Sequence, residues 1–250
     1  MSRPIQKFFA WQVSICRKIE KRIFREFSED GNEAFCKIAA TLVVDGSAIA
    51  DVGGGKTPFF SAEEVRIRSL NVVGVDIDGE ELRAAEDGSY SDVAIGPIES
   101  VRGQSDRDFV IAQSVLEHVT NGREAAFGMA SFLRKGGRVV TFCPCKRAWF
   151  ARLNLLLPES WKRAILFYVF PAKRERQGFP AYYDGCSPEE MSKNLGDAGI
   201  AVKEIRYYFT SSYFMFFVPL YLAWRLMSYP FMKFWPHRYC ETFVFIGEKT

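Results

Sequence analysis

From Ser47 to Pro144 the sequence alternates short apolar, β-branched runs with polar, capped stretches, and this pattern constrains the fold more than any other feature. "SAIADV", "NVVGVD", "DVAI", "RDFVIAQSV" and "RVVTFCP" read as five buried strands. Between them, "SAEEVRIRSL" reads as a helix with a capping serine, and "GEELRAAE" as a second. Residues 122–134 read as a third, stopped by "KGG". Strand–helix alternation of this kind predicts a parallel, doubly wound sheet with right-handed crossovers. Ligands of such sheets sit beyond the carboxyl ends of the strands, where the strand order reverses.

The flanks complete an α/β fold with a Rossmann-like sheet of seven mostly parallel strands, the last antiparallel. Residues 4–27 read as a helix with one apolar stripe, Phe8, Trp11, Ile15, Ile19, Ile23 and Phe27, and with Lys18, Lys21, Arg22 and Arg25 mostly off it. A short helix over 31–44 follows. After Pro144 the alternation stops, and 146–180 is basic, aromatic and interrupted by prolines. "SPEEMSKNLGDAGI" resumes as a helix with Ser187 as N-cap and Pro188 in its first turn. "AVKEIRYYF" and "ETFVFIGEK" are the last two strands. The expected organisation is a basic amphipathic extension (1–46), a ligand-binding core (47–145) and a cap region that completes the sheet (146–250), with a hydrophobic insertion at about 211–238.

Charge is distributed unevenly. Residues 1–27 carry +5 and residues 145–176 carry +6, which leaves −8 for the remainder of a chain whose net charge is +3. Basic segments rich in Phe, Tyr and Trp suit an anionic surface, membrane or nucleic acid; two solvated helix faces are the plainer alternative. From Tyr207 to Trp224 there are 18 residues without a charge, at the lower limit of about 17 to 20 for a membrane span. Pro219 interrupts them, and their first residues belong to a strand. An interfacial helix or hairpin is favoured, with a buried core helix as the alternative and a true span behind both. The six cysteines include no CxxC pair, and "CPC" at 143–145 is too tight for a zinc knuckle. They read as reduced, mostly buried cytosolic thiols, and no metal site is expected. The basic N-terminus lacks the apolar core of a signal peptide.

The chemistry concentrates at "IADVGGGKTPFFS". Gly53, Gly54 and Gly55 after Asp51 present bare backbone to a ligand. A dinucleotide fingerprint would require glycine where Pro58 stands, and a P-loop would require one at Ala50, so both fail. At the tip of the second strand, Asp76 can take both hydroxyls of a ribose, or cap the helix after it; Asp78 is the weaker candidate.

The order D-x-G-x-G, "VGVDID", "DFVIAQSVLEHV" and "LRKGGRVV" over residues 47–145 resembles the class I S-adenosylmethionine-dependent methyltransferases, nearest the type 11-like branch with the "LEHV" signature. "GFPAYYDGCSPEEM" and "SSYFMFFVPLYL" are similar to methyltransferases encoded with bacterial polysaccharide and lipid-linked glycan enzymes. The resemblance implies S-adenosyl-L-methionine as cofactor, with Asp51, Gly53, Gly54 and Gly55 at its methionine end and Asp76 with Ile77 at its ribose. It implies that Gln113, Ser114 and His118 face cofactor and acceptor. One position departs: where the family often has an acid after the third strand for the adenine amino group, this chain has "AIGPI", with Gly96 or a neighbour there.

Methyl transfer needs mainly an aligned nucleophile, and a hydroxyl acceptor gains from a nearby base. His118 is the candidate, with a helix-cap or core histidine as its plain alternative. Tyr182, Tyr183 and Asp184 are candidates to line the acceptor pocket, or else they pack a loop. The expected acceptor is a small or lipid-linked molecule reached from an anionic membrane, with the protein cytoplasmic and peripheral at the inner face. An RNA methyltransferase is disfavoured, because the basic residues are interleaved with apolar stretches and no RNA-binding module stands beside the core. A membrane scaffold without activity is the other alternative, motivated by the missing third-strand acid. A nicotinamide dehydrogenase is unlikely on the Pro58 departure and the placement of Asp51.

Overall fold

A computed structural model describes residues 3–156, 180–210 and 214–250. Most of the second basic segment, 157–176, therefore lies outside the described residues, as do 211–213 of the hydrophobic insertion. The chain divides into two compact units. One comprises 32–144, 182–206 and 243–250; the other comprises 1–31, 145–181 and 207–242.

The first unit holds nearly all of a seven-stranded sheet. Its strands are β1 (Ala48–Val52), β2 (Asn71–Asp76), β3 (Asp92–Ile95), β4 (Arg107–Gln113), β5 (Leu133–Pro144), β6 (Ile200–Tyr208) and β7 (Thr242–Lys249). They are ordered β3-β2-β1-β4-β5-β7-β6, with the first five parallel and β7 antiparallel to its neighbours. Ile49, Ala50 and Val52 of β1, Val110 to Ala112 of β4, and Val139 and Val140 of β5 are buried. Central parallel strands covered on both faces require such continuous apolar runs. In register, Val52 stands between Val75 and Ala112, and Gln113 pairs with Phe142. The carboxyl ends of β1, β2 and β4 therefore finish at one level, and the order reverses between β1 and β4, where ligands of such sheets bind.

The helices of this unit follow from their caps. Ser61 and Glu64 form a capping box on α3 (Ala62–Ile67), Asn121 caps α5 (Gly122–Phe132), and Ser187 caps α7 (Pro188–Asp197). Asp78, not Asp76, caps α4 (Gly79–Arg83), accepting from the N–H groups of Glu80 and Glu81. One expectation is corrected: "KGG" does not end a helix. The helix stops at Phe132, and Lys135 to Gly137 lie inside β5, where the pairing with β4 shifts register and Gly136 takes a φ of +77°. The glycine serves a bulge in a strand.

The second unit contains α1 (Arg3–Ile23), a 3-10 turn (Arg25–Phe27), α6 (Trp149–Leu156), α8 (Val218–Phe234) and α9 (Pro236–Tyr239). α2 (Gly31–Leu42) starts at its boundary. Pro219 lies in the first turn of α8, where its missing N–H is harmless. Among the described residues no helix is long and apolar enough to cross a membrane.

The apolar stripe of α1 does not face inward. Gln12, Cys16, Glu20 and Phe24 are buried, while Trp11 is 58% exposed and Ile23 67%. Polar partners hold this orientation. Gln12 Oε1 accepts from Val218 N–H at 2.9 Å, and the Cys16 thiol donates to Met215 O at 3.4 Å. Glu20 takes the Arg225 guanidinium, with Nε at 3.0 Å, and the Tyr221 hydroxyl. Arg225 is fully buried and also donates to Phe209 O. A second buried carboxylate, Glu241, has one oxygen without a partner, and burial pushes its carboxyl up to about 8. A guanidinium so enclosed requires this set of acceptors.

Candidate active site

The glycine turn leaves β1 and crosses the end of β2. Gly53 has φ +77° and donates its N–H to Val75 O at 2.7 Å; a Cβ there would meet the Val115 side chain at 2.5 Å. A Cβ on Gly54 would stand 2.4 Å from Asp51 Oδ2 and 2.5 Å from the Tyr90 hydroxyl. The bare backbone is thus required by the turn's own packing as well as by any ligand. Asp51 is buried and accepts from Phe59 N–H at 2.8 Å. The Tyr90 hydroxyl lies 3.1 Å from Gly55 O and 3.3 Å from Asp51 Oδ2, so its one proton is shared between loop and acid. Burial pushes the Asp51 carboxyl up to about 6, against these two hydrogen bonds and with help from the negative charge of Asp76.

Asp76 accepts from Asp78 N–H at 2.9 Å through Oδ1. Its Oδ2 stands 3.3 Å from where a Cβ on Gly55 would project. Glycine and acid therefore face each other across a cradle that any side chain at 55 would fill. Burial chiefly raises the Asp76 carboxyl above its usual range, with the Asp78 N–H opposing. Lys56 and Glu81, 2.8 Å apart and exposed, link the turn to α4. Ile77 beside Asp76 is 56% exposed. At the end of β3, Gly96 takes φ +145° and donates its N–H to Asp76 O, so this position offers backbone and no acid.

Gln113 ends β4 and donates to Asn32 Oδ1 at 2.6 Å, with Cys36 Sγ at 3.9 Å. Ser114 has φ +53°, an uncommon backbone for a residue with a side chain, and its N–H is held by Phe142 O. A 3-10 turn, Leu116–His118, follows. His118 Nε2 lies 3.9 Å from Glu117 Oε1. Glu117 is buried, its Oε2 has no partner, and burial pushes its carboxyl up to about 7. Its backbone oxygen accepts from Tyr182 N–H at 2.8 Å and Tyr183 N–H at 3.0 Å. These bonds bring the tyrosine loop to the His118 turn. Of the two tyrosines, Tyr182 is exposed and Tyr183 is buried with φ +56°. Asp184 uses Oδ2 to accept from Gly122 N–H at 2.7 Å, at the start of α5.

The structure thus gathers the sequence candidates into two groups at the carboxyl end of the sheet. Asp51, Gly53 to Gly55, Asp76 and Ile77 form one, and Gln113, Ser114, His118, Tyr182 and Tyr183 the other. Tyr90, Asn32 and Glu117 touch these candidates and carry no motif in the sequence that singles them out. Tyr90 stands in a polar turn with no motif, and only the fold brings it to Asp51, 39 positions away. Glu117 sits in the quoted "LEHV", where an unpaired buried acid has no sequence signature.

The glycine turn, the Asp76 oxygen opposite Gly55 and the polar end of β4 fit a ligand with a ribose and a charged amino-acid end. Residues 50–141 match the family model described as "Methyltransferase domain". Solved structures share the fold. A SAM-dependent methyltransferase from Methanosarcina mazei is 17% identical, covering 85% of this chain and 96% of its own, with a TM-score of 0.52. An S-adenosylmethionine-dependent methyltransferase from Mesorhizobium loti is 13% identical, over 85% and 96%, with a TM-score of 0.53. The [4+2]-cyclase SpnF is 15% identical, over 89% and 86%, with a TM-score of 0.52. Among curated proteins none matches the chain. The methyltransferase domain matched over residues 50–141, carried on this fold, supports an S-adenosylmethionine-dependent methyltransferase. Its cofactor is S-adenosylmethionine.

Proposed function

We propose that the protein transfers a methyl group to an oxygen, or a nitrogen, of a small or amphiphilic acceptor associated with a membrane, such as a lipid-linked sugar in bacterial polysaccharide synthesis. One observation carries the methyl-transfer part: Asp51 and Asp76 flank a glycine turn in which Gly55 faces an Asp76 oxygen, so that any side chain at 55 would fill the gap between them. Asp76 and the backbone beside Ile77 hold the ribose. Asp51 shapes the turn and answers the positive charge at the methionine end. S-adenosylmethionine, when bound, supplies a methyl carbon already activated by its sulfonium.

The chain's own residues have then to orient the acceptor and receive its proton. His118 takes up the proton of the acceptor hydroxyl, with the buried Glu117 carboxyl 3.9 Å from its Nε2. Gln113, with Asn32 fixing its amide, and the exposed Tyr182 line the acceptor's approach. The basic helical extension and the cap region serve the acceptor, with the protein peripheral at the inner face of the membrane. The basic, aromatic flanks support that placement.

Incubation with methyl-labelled S-adenosylmethionine and a bacterial membrane extract tests the reading. Label in the organic-soluble fraction, lost in His118→Ala, is the expected result. Label only in water-soluble sugars would remove the membrane acceptor, and label in RNA would establish the RNA reading. No label from a protein that binds the cofactor would favour a scaffold.

A further inference from the structure

Helix α1 is oriented against its own hydrophobicity. Its buried line is Gln12, Cys16 and Glu20, while Phe8, Trp11 and Ile23 face outward. The helix cannot roll to hide them, because Val218 N–H, Arg225 and Tyr221 fix the polar line from α8. Among the described side chains the exposed charges of α1 are Lys7, Arg17, Lys18, Lys21 and Arg22, and its one acid, Glu20, is buried on Arg225. At 100° per residue, Lys7, Lys18 and Arg22 fall in the same sector as Phe8, Trp11 and Ile15. Among the described residues none of these five cations forms an ion pair.

Helix α8, in the same unit, repeats the pattern with fewer charges. Tyr221, Trp224, Arg225, Ser228 and Met232 are its buried line. Outward stand Leu220, Leu226, Met227 and Phe234, with Leu226 67% and Phe234 64% exposed. Lys233 is the one charged residue on that side. An exposed apolar surface mixed with cations, with no acid on the outward faces of the two helices and Glu26 at the edge on Tyr229, is what an in-plane interfacial helix presents to lipid.

We infer that the outward faces of α1 and α8 form the docking surface of this protein for an anionic lipid bilayer. Trp11, Phe8, Leu226 and Phe234 enter the headgroup–acyl boundary, and Lys18, Lys21 and Arg22 meet the phosphates. This rests on the reading above that the acceptor is held in a membrane, and it names the surface that reaches it. A soluble partner of matching shape would need acids opposite every α1 cation, whereas anionic lipid supplies them at any register.

The test is co-flotation of the full chain with phosphatidylcholine vesicles, with and without phosphatidylglycerol, alongside titration with S-adenosylmethionine. Three variants accompany it: Phe8→Ser/Trp11→Ser, Leu226→Ser/Phe234→Ser, and Lys18→Glu/Lys21→Glu/Arg22→Glu. All these positions are exposed, so the fold and cofactor affinity are expected to persist. Wild type should float with anionic vesicles and fade as salt rises. Each lost cation should weaken binding about fivefold, and both serine pairs should reduce it at any salt. Flotation unchanged in all three variants would overturn the surface, as would no flotation of a cofactor-binding protein; methyl transfer would then stand alone. Elution as a dimer that Trp11→Ser and Leu226→Ser dissociate would assign the face to a second copy and overturn the lipid assignment. Flotation without cofactor binding would keep the surface and sink the methyltransferase reading.

Discussion

Asp78 donates its backbone N–H to Asp76 at 2.9 Å while its own carboxylate caps α4. Two acids near one strand end thus divide the work. Asp78 satisfies the helix, and Asp76 is left to face Gly55. The division makes a separable prediction. Asp78→Ala should cost about 1 kcal/mol of stability through the lost cap, a fall of about 2–4 °C in Tm for a chain of this size. Cofactor affinity should change far less than in an Asp76 variant. Thermal unfolding and calorimetry on the two variants check it.

Burial dominates the acidity of Asp51, and the Phe59 N–H and then the Tyr90 hydroxyl oppose it. That hydroxyl stabilises the carboxylate form, which burial has already pushed up to about 6. In the role proposed for Asp51, the cationic amino-acid end of the cofactor binds best to the ionised acid. Affinity in wild type should therefore fade as pH falls through about 6. In Tyr90→Phe the midpoint should move to higher pH, because the carboxylate loses a donor. Titrations across the pH range give both midpoints, and a variant with an unmoved midpoint would contradict the coupling.

Glu117 should be visible in the pH dependence of stability. Its folded carboxyl is raised to about 7 by burial, above its unfolded value. The folded state therefore holds the proton more tightly, and stability falls as pH rises between the two values, by roughly 1.4 kcal/mol per unit. Above about 7 the loss is complete. Glu117→Gln abolishes this slope. Relative to wild type, its Tm should be higher at about pH 8 than at about pH 5, by thermal scans in matched buffers.

The Glu20–Arg225 pair holds α1 on α8. Arg225→Met would leave Glu20 buried without its cation, and would remove the positive charge that Arg225 offers Glu241. Loss of one member of a buried pair costs about 3–5 kcal/mol. Tyr221→Phe removes one hydrogen bond and should cost about 1 kcal/mol. Denaturant titration of both variants distinguishes a structural clamp from a decorative contact.

Much of the parallel sheet and the placement of Asp51, Gly53 to Gly55 and Asp76 were legible in sequence, because strand ends, glycines and acids follow local rules. Helix α1 was legible as a helix but not in its orientation. Its apolar stripe points away from the core because Glu20 and Gln12 find partners about 200 positions later, Arg225 and the Val218 N–H. "KGG" misled because Gly136 serves a bulge in β5, where the same residues at a helix end would look alike. Tyr90 and Glu117 acquire meaning only from burial and from neighbours distant in the chain.

The central claim is that Asp76 and the glycine turn hold S-adenosylmethionine. Calorimetric titration of the folded protein with S-adenosylmethionine and S-adenosylhomocysteine, beside Asp76→Ala and an NADH control, tests it most directly. Micromolar binding of both adenosyl compounds, none of NADH, and at least about a tenfold loss in the variant for a missing charged hydrogen bond are expected. Equal affinity in wild type and Asp76→Ala, or no binding of either adenosyl compound, would contradict it.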